Sequence, residues 1–259
     1  LFHRISIKTP GKDKLAIWSS LLHNGQLFLG TNSGLWRANI QTSDLMEIES
    51  GFQQIKNVPN PNSLVRSVIK SRNGGVWVLT GNIISRIELR NHSNEPVLIE
   101  DFQFDGFSAG VTIVEDLTGN IWIALQRTGL LRYNPETKKP QHFKKYGTHY
   151  GPASPKCSAL ALDKKGNLWV GTLDKGLSFI ESGDLHKEEI IFETIQRDPL
   201  NNQSLNSNLI YSLYVSEDNL LWIGTIGSGV NIFGPDQKKF KHYTFCDLTN
   251  KSPNSNFIR

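Results

Sequence analysis

The sequence predicts an all-β fold, a β-propeller built from four-stranded antiparallel blades. Two observations carry this expectation. One pattern returns five times along the 259 residues, and its aromatic anchors Phe28, Trp77, Trp122, Trp169 and Trp222 stand 49, 45, 47 and 53 positions apart. Repeats of about 40–50 residues with strand-like content are those of propeller blades. Helical solenoids share the period but need apolar residues every 3.6 positions. The segments around each anchor instead alternate, or form short runs rich in Val and Ile, and so read as strands.

The fourth repeat shows each element in turn. Residues 158–162 are small and apolar and form strand A, which would line the central channel. The turn Asp163-Lys164-Lys165-Gly166-Asn167 uses residue types that accept tight hairpin geometry. Residues 168–172 form strand B, whose Trp is expected to be buried between blades, and a glycine-containing loop leads to strand C at 176–180. Strand D is the amphipathic outer strand, as in residues 141–146 and 239–243. The blades are expected at about 17–60, 64–107, 109–147, 156–196 and 208–246, within one propeller region spanning 1–259. Residues 1–8 resemble a lone strand D and 255–259 the opening of a strand A, giving five whole blades plus partial blades at both ends. An open arc of blades would expose unpaired edges, so the region is read as a fragment of a larger propeller.

Composition narrows the function. The net charge of +4 comes from scattered lysine pairs near expected turns, so no concentrated basic stripe points to nucleic acid. No apolar run approaches the length of a membrane span, and direct membrane insertion is not expected. Cys157 and Cys246 have no metal-site or disulfide-framework spacing and read as buried thiols. The seven histidines show no zinc-type pairing, and His142 and His242 fall on outer strands. Asp116 and Asp163 occupy the same turn of successive repeats and read as turn caps rather than as a catalytic pair. No catalytic residues, metal ligands or cofactor are expected.

The strings Asp163-Lys164-Lys165-Gly166-Asn167-Leu168-Trp169-Val170-Gly171-Thr172 and Leu221-Trp222-Ile223-Gly224-Thr225 resemble the two-component regulator propeller repeat. The connection Arg197-Asp198-Pro199-Leu200-Asn201-Asn202-Gln203-Ser204-Leu205 is similar to that family's long link from strand D to the next strand A, as are 60–64 and 252–255. The resemblance extends over nearly the whole chain. It implies a periplasmic sensor region of a hybrid histidine kinase, of the kind common in gut Bacteroidetes, that detects an oligosaccharide. It further implies remaining blades and signalling domains elsewhere in the parent protein. Three departures put regular blade geometry in question: Leu79-Thr80-Gly81-Asn82, Ala124-Leu125, and Ser216-Glu217-Asp218-Asn219 in place of the Asp-x-x-Gly turn.

Long loops on a rigid scaffold are where binding usually resides. One strand-A position near the face carrying the long connections holds Trp18, Arg66, Val111, Ser158, Tyr211 and Arg259 in successive repeats. The loops from strand B to strand C add Arg127, Asp174 and Lys175, and Trp36 on the first strand C is a further candidate for stacking on a sugar. The ligand-binding set is therefore Trp18, Trp36, Arg66, Arg127, Asp174, Lys175, Tyr211 and Arg259. Arg and aromatic groups together suit a sugar or an anion. The reading is a non-enzymatic extracytoplasmic sensor. A lyase of the streptogramin-lyase type and a protein-interaction scaffold, with homodimerisation, remain as alternatives.

Overall fold

The computed structural model describes residues 15–40, 51–89, 96–234 and 239–243. The expected partial strands at 1–8 and 255–259, with Arg259 and Cys246, lie outside the described residues. Two compact units emerge, Leu1–Gly106 and Phe107–Arg259.

The first unit holds two four-stranded antiparallel sheets. Blade 1 runs β1 (Ile17–His23), β2 (Gln26–Thr31), β3 (Gly34–Asn39) and β4 (Gln53–Ile55). Blade 2 runs β5 (Val65–Lys70), β6 (Val76–Thr80), β7 (Ile83–Leu89) and β8 (Pro96–Gln103). The second unit holds three more. Blade 3 is β9 (Gly110–Glu115), β10 (Ile121–Leu125), β11 (Gly129–Asn134) and β12 (Lys139–Phe143). Blade 4 is β13 (Cys157–Leu162), β14 (Leu168–Thr172), β15 (Leu177–Ile180) and β16 (Glu193–Ile195). Blade 5 is β17 (Ile210–Val215), β18 (Leu221–Thr225), β19 (Val230–Gly234) and β20 (Lys239–Tyr243). Strand order follows chain order in every sheet, the A-B-C-D arrangement of propeller blades. β12 starts two residues before the expected strand D, because Lys138 at φ 56° closes the preceding hairpin early.

Within each unit the blades stack face to face around shared apolar clusters. Phe28 and Leu35 of blade 1 pack with Val65, Val76, Val78 and Ile87 of blade 2. Trp122 and Phe143 of blade 3 pack with Leu168, Val170 and Phe192 of blade 4, and Trp169 joins Ile223 and Phe233 of blade 5. The Trp169 ring meets Phe233 edge-on at 5.3 Å, a favourable aromatic geometry. Trp222 departs from the expectation of a buried Trp set. It is 40% exposed, whereas Trp77, Trp122 and Trp169 are buried.

The glycine of the Gly-Thr motif has a steric role in this stacking. A Cβ on Gly171 would lie 2.7 Å from Ile210 Cγ2 of the next blade, and one on Gly30 would lie 2.8 Å from Val65 Cγ1. Blade 3 carries Ala124 at this position, and the residue opening the following strand A is there the small Cys157, in the same buried cluster. The pairs are Gly with a β-branched residue and Ala with Cys. The departure at Ala124 is therefore matched by its neighbour and leaves the blade regular.

The turns between strands A and B are built around one acceptor. Asp116 Oδ1 receives the Thr118 and Asn120 amides at 2.9 and 3.0 Å, while Oδ2 receives the Trp122 indole N–H at 2.7 Å. Asp163 repeats this with Lys165, Asn167 and Trp169 at 2.9, 3.0 and 3.2 Å. The turn aspartates are thus structural, as read from the sequence. Blade 5 keeps the same backbone turn with Ser216, because Asn219 adopts φ 59° where other blades place glycine. Blade 2 has Ser71 at this position, and there both Ser71 Oγ and Trp77 Nε1 are buried without a hydrogen-bond partner.

Two predictions follow from these contacts. Gly171→Val should lower stability by about 1–3 kcal/mol through overpacking, and adding Ile210→Ala should recover part of the loss; denaturant unfolding of the single and double variants reads this directly. Ser71→Asp should raise stability by about 1 kcal/mol by supplying the missing acceptor for Trp77, whereas Asp163→Ala should lower it by about 2 kcal/mol or more. A thermal melt in which Ser71→Asp is neutral or harmful would show that the Trp77 N–H needs no carboxylate.

Candidate functional site

The candidate residues of strand A share a structural feature that no sequence motif announces. In every blade the ladder between strands A and B slips by one residue at the start of strand A. Ile17 pairs with Thr31 and Ser19 with Gly30, which leaves Trp18 without a partner across the ladder. Val65 and Ser67 flank Arg66 in the same way, Gly110 and Thr112 flank Val111, Cys157 and Ala159 flank Ser158, and Ile210 and Ser212 flank Tyr211. A β-bulge of this kind kinks the strand and re-aims the extra side chain. The position aligned from the repeats is therefore the bulge residue of each blade.

What these residues do differs by blade. Ser158 is buried and donates through Oγ to Ile210 O at 2.7 Å, joining two strands A within the second unit. Val111 and Tyr211 are half-buried. In the first unit Trp18 is 44% exposed, and the Arg66 guanidinium carbon lies 5.5 Å from the centroid of its ring. Trp18 and Arg66, both of the predicted set, are thus brought together within the first unit.

The loops between strands B and C are closed by the Thr of the Gly-Thr motif. Thr172 Oγ1 donates to Gly176 O at 2.8 Å and accepts the Lys175 amide at 3.0 Å, while Thr225 Oγ1 donates to Gly229 O at 2.7 Å. Gly176 at φ +75° donates its own amide to Asn208 O at 2.9 Å, tying the loop to the link that enters blade 5. Asn206 and Asn231 pair amide to amide beside it, with Nδ2 of Asn231 2.8 Å from Oδ1 of Asn206. The link at 198–205 is held by Asp198 and Asn201, which accept the Leu200 and Gln203 amides at 2.9 Å. The link is therefore held partly by its own turns and partly by bonds to blade 5, as between Asn206 and Asn231.

The loop candidates divide. Arg127 and Lys175 extend into solvent, and the Arg127 amide donates to Ser108 Oγ at 2.9 Å. Asp174 is half-buried, with Oδ2 2.9 Å from Lys156 Nζ and a buried Oδ1 that has no partner. Burial alone would raise its carboxyl, but the Ser154 hydroxyl together with Lys156 and Lys175 holds it below the usual carboxylate value. Sequence reasoning missed Lys156 and Ser154 here; their signal is their place directly ahead of strand A, above a loop that carries an acid. Beneath them Cys157 is fully buried, and burial pushes its thiol far up, with Asp174 adding to the effect. Trp36 lies in the core rather than on a rim. It is 6% exposed, and its indole N–H donates to Ser33 O at 3.2 Å, so no open face is presented for stacking. His142 and His242 both use Nε2 on backbone carbonyls, of Thr128 and Ser204. Among the described residues no three His, Cys, Asp or Glu side chains converge as metal ligands.

Comparison with known proteins is informative at this point. Residues 152–174 and 204–227, which run from the entry link through strand B in blades 4 and 5, match the two component regulator propeller family. These two segments are similar to two component regulator propeller repeats. The extracellular domains of two proteins from B. thetaiotaomicron, each described as a hybrid two component system, have this fold. One has TM-score 0.60 at 22% identity, covering 84% of this chain and 27% of that one. The other has TM-score 0.64 at 19% identity, covering 90% and 29%. Virginiamycin B lyase from Staphylococcus aureus also shares it, with TM-score 0.64 at 14% identity over 89% of this chain and 70% of the enzyme. At these identities the likeness is one of fold. The chain spans 27% of the length of the first of these extracellular domains. No curated protein sequence matches it. No helix among the described residues is long and apolar enough to cross a membrane.

The Asp174 contacts make a pH prediction. A carboxyl held below its unfolded value adds stability above about pH 4, and that contribution is lost as pH falls through the folded value. Asp174→Asn should therefore unfold at lower urea than the native chain at pH 7, with the gap narrowing as pH falls below about 4. A gap that does not narrow at all on acidification would assign the effect to packing instead of charge.

Proposed function

We propose that this chain is part of the periplasmic sensing region of a signal-transduction protein, that it binds an oligosaccharide without turning it over, and that the signal passes to a histidine kinase lying outside it. The observation that carries the reading is the bulge repeated in each blade. A constant backbone feature presents Trp, Arg, Val, Ser and Tyr in turn. A scaffold that fixes the position while its side chains vary is the arrangement expected of a recognition surface. The two component regulator propeller repeats support a place in a signalling protein, and the shared fold of extracellular domains from hybrid systems supports an extracytoplasmic one.

The decisive experiment is a calorimetric screen of the chain against neutral and acidic oligosaccharides, with each sugar recovered and chromatographed afterwards. Saturable heat with the sugar returned intact is the expected result. A sugar returned shortened or unsaturated would replace the sensor by an enzyme. No heat with any glycan would favour an interaction scaffold.

A further inference from the structure

We propose that Trp18 and Arg66 form a clamp for an acidic sugar unit, the indole taking the apolar face of the pyranose ring and the guanidinium taking its carboxylate. This deepens the oligosaccharide reading above and rests on it.

Arg66 supplies the charge of the clamp. Its guanidinium carbon lies 5.5 Å from the Trp18 ring centroid, and no carboxylate or other hydrogen-bond acceptor engages it among the described residues. The other half-buried arginines among the described residues are all engaged, whereas Arg72, Arg127 and Arg197 are exposed. Arg86 is paired with Glu100 at 2.9 Å and Glu88 at 3.3 Å, Arg37 donates to Gln26 Oε1 at 3.3 Å, and Arg132 donates to Leu185 O and Gln141 Oε1. A guanidinium has five N–H donors in a fixed fork. On Arg66 that fork is half-buried, oriented by an aromatic ring, and free of an internal anion.

The second element is the rigidity of the mount. Both residues are bulge residues, on β1 and β5 of adjacent blades in the first unit. Next to the bulge, the Val68 amide donates to Ser19 Oγ at 3.0 Å, which fixes the spacing of the two strands. Trp18 keeps 44% of its surface open beside the guanidinium. An exposed ring next to an unneutralised planar cation matches a ligand that has both an apolar face and an anion within one ring's width. A neutral sugar would satisfy the ring but leave the charge unused. A uronate satisfies both, since its planar carboxylate accepts two parallel N–H bonds from guanidinium. A sulfate ester on a sugar offers the same charge without the planar match.

The test is titration calorimetry of the full 259-residue chain with a galacturonate oligosaccharide, its neutral galactose counterpart of equal length, and a sulfated counterpart. The galacturonate should bind at least about tenfold more tightly than the neutral sugar, as expected for one charge-assisted pair. That preference should shrink as salt rises. Arg66→Gln and Trp18→Ala should each weaken galacturonate binding by about tenfold or more, while Arg66→Lys, keeping the charge but not the fork, should fall between. Both side chains are partly exposed at bulges, and the melting temperature of each variant checks that folding is kept. Sulfated sugar binding more tightly than galacturonate would overturn the carboxylate assignment. Neutral and acidic sugars binding alike, with Arg66→Gln without effect, would overturn the clamp and leave the oligosaccharide reading standing. Absence of binding to all three sugars would overturn the clamp and remove the support for that reading.

Discussion

The distance between one blade and the next is the constraint on which this structure depends. Stacked sheets lie about 10 Å apart, and propeller blades must converge toward strand A. At the end of strand B in blades 1 and 4 the approach is closer than a side chain allows, and Gly30 and Gly171 are there because the neighbouring Val65 and Ile210 occupy the space of a Cβ. Where the opposing residue shrinks to Cys157, Ala124 fits. The Gly-Thr motif thus joins two requirements at consecutive residues: a missing side chain for stacking, and a hydroxyl that closes the loop beyond. Everything positioned by that loop inherits its precision from the stacking.

The outer half of each strand B answers a different demand. A tryptophan large enough to fill the wider gap between blades brings an indole N–H into the core, and a buried donor needs an acceptor. The turn aspartate meets that need in blades 3 and 4 while also capping its own hairpin. The Asp-x-x-Gly-Asn-x-Trp string is therefore one object, in which turn and core are tied by a single carboxylate. In blade 2 the string has lost its aspartate, and two buried polar atoms stand unsatisfied as a result. Backbone geometry survives there, since the turn's main-chain bonds need only a residue that tolerates positive φ.

Much of this was legible in the sequence because it repeats. Strand boundaries, turn aspartates and aromatic anchors follow from comparing the five copies. Trp222 and Trp36 show where that comparison fails. A repeat position says which side of a sheet a residue faces, not whether anything covers that side, so Trp222 read as core although it is 40% exposed. Trp36 stands out in the sequence because no other repeat has a Trp at that place on strand C; in blades 4 and 5 the structure has Ser178 and Asn231 there, which hold the preceding link through the Ala153 and Asn206 amides at 2.8 and 2.9 Å. A residue unusual for its position can still have a purely structural role. The bulges were invisible for another reason. Only blade 3 has a glycine beside its bulge, Gly110, and a slip of one residue leaves the alternation on either side intact.

The bulge also explains how a repetitive scaffold can acquire a site without losing its fold. Residues within the ladder are held to one face by the pleat, and changing them disturbs the packing between blades. The bulge residue is exempt from that pairing, so its side chain can be Val, Ser, Tyr, Arg or Trp while the strands beside it keep register. Blade 4 uses the freedom for structure, with Ser158 bonded to the next strand. Blades 1 and 2 leave an aromatic ring and a cation against each other, with no anion engaging the cation among the described residues. Stability therefore places little demand on Trp18 and Arg66 to be what they are. Trp18 and Arg66 thus stand at positions free to vary, and the acidic sugar proposed above would account for both groups together.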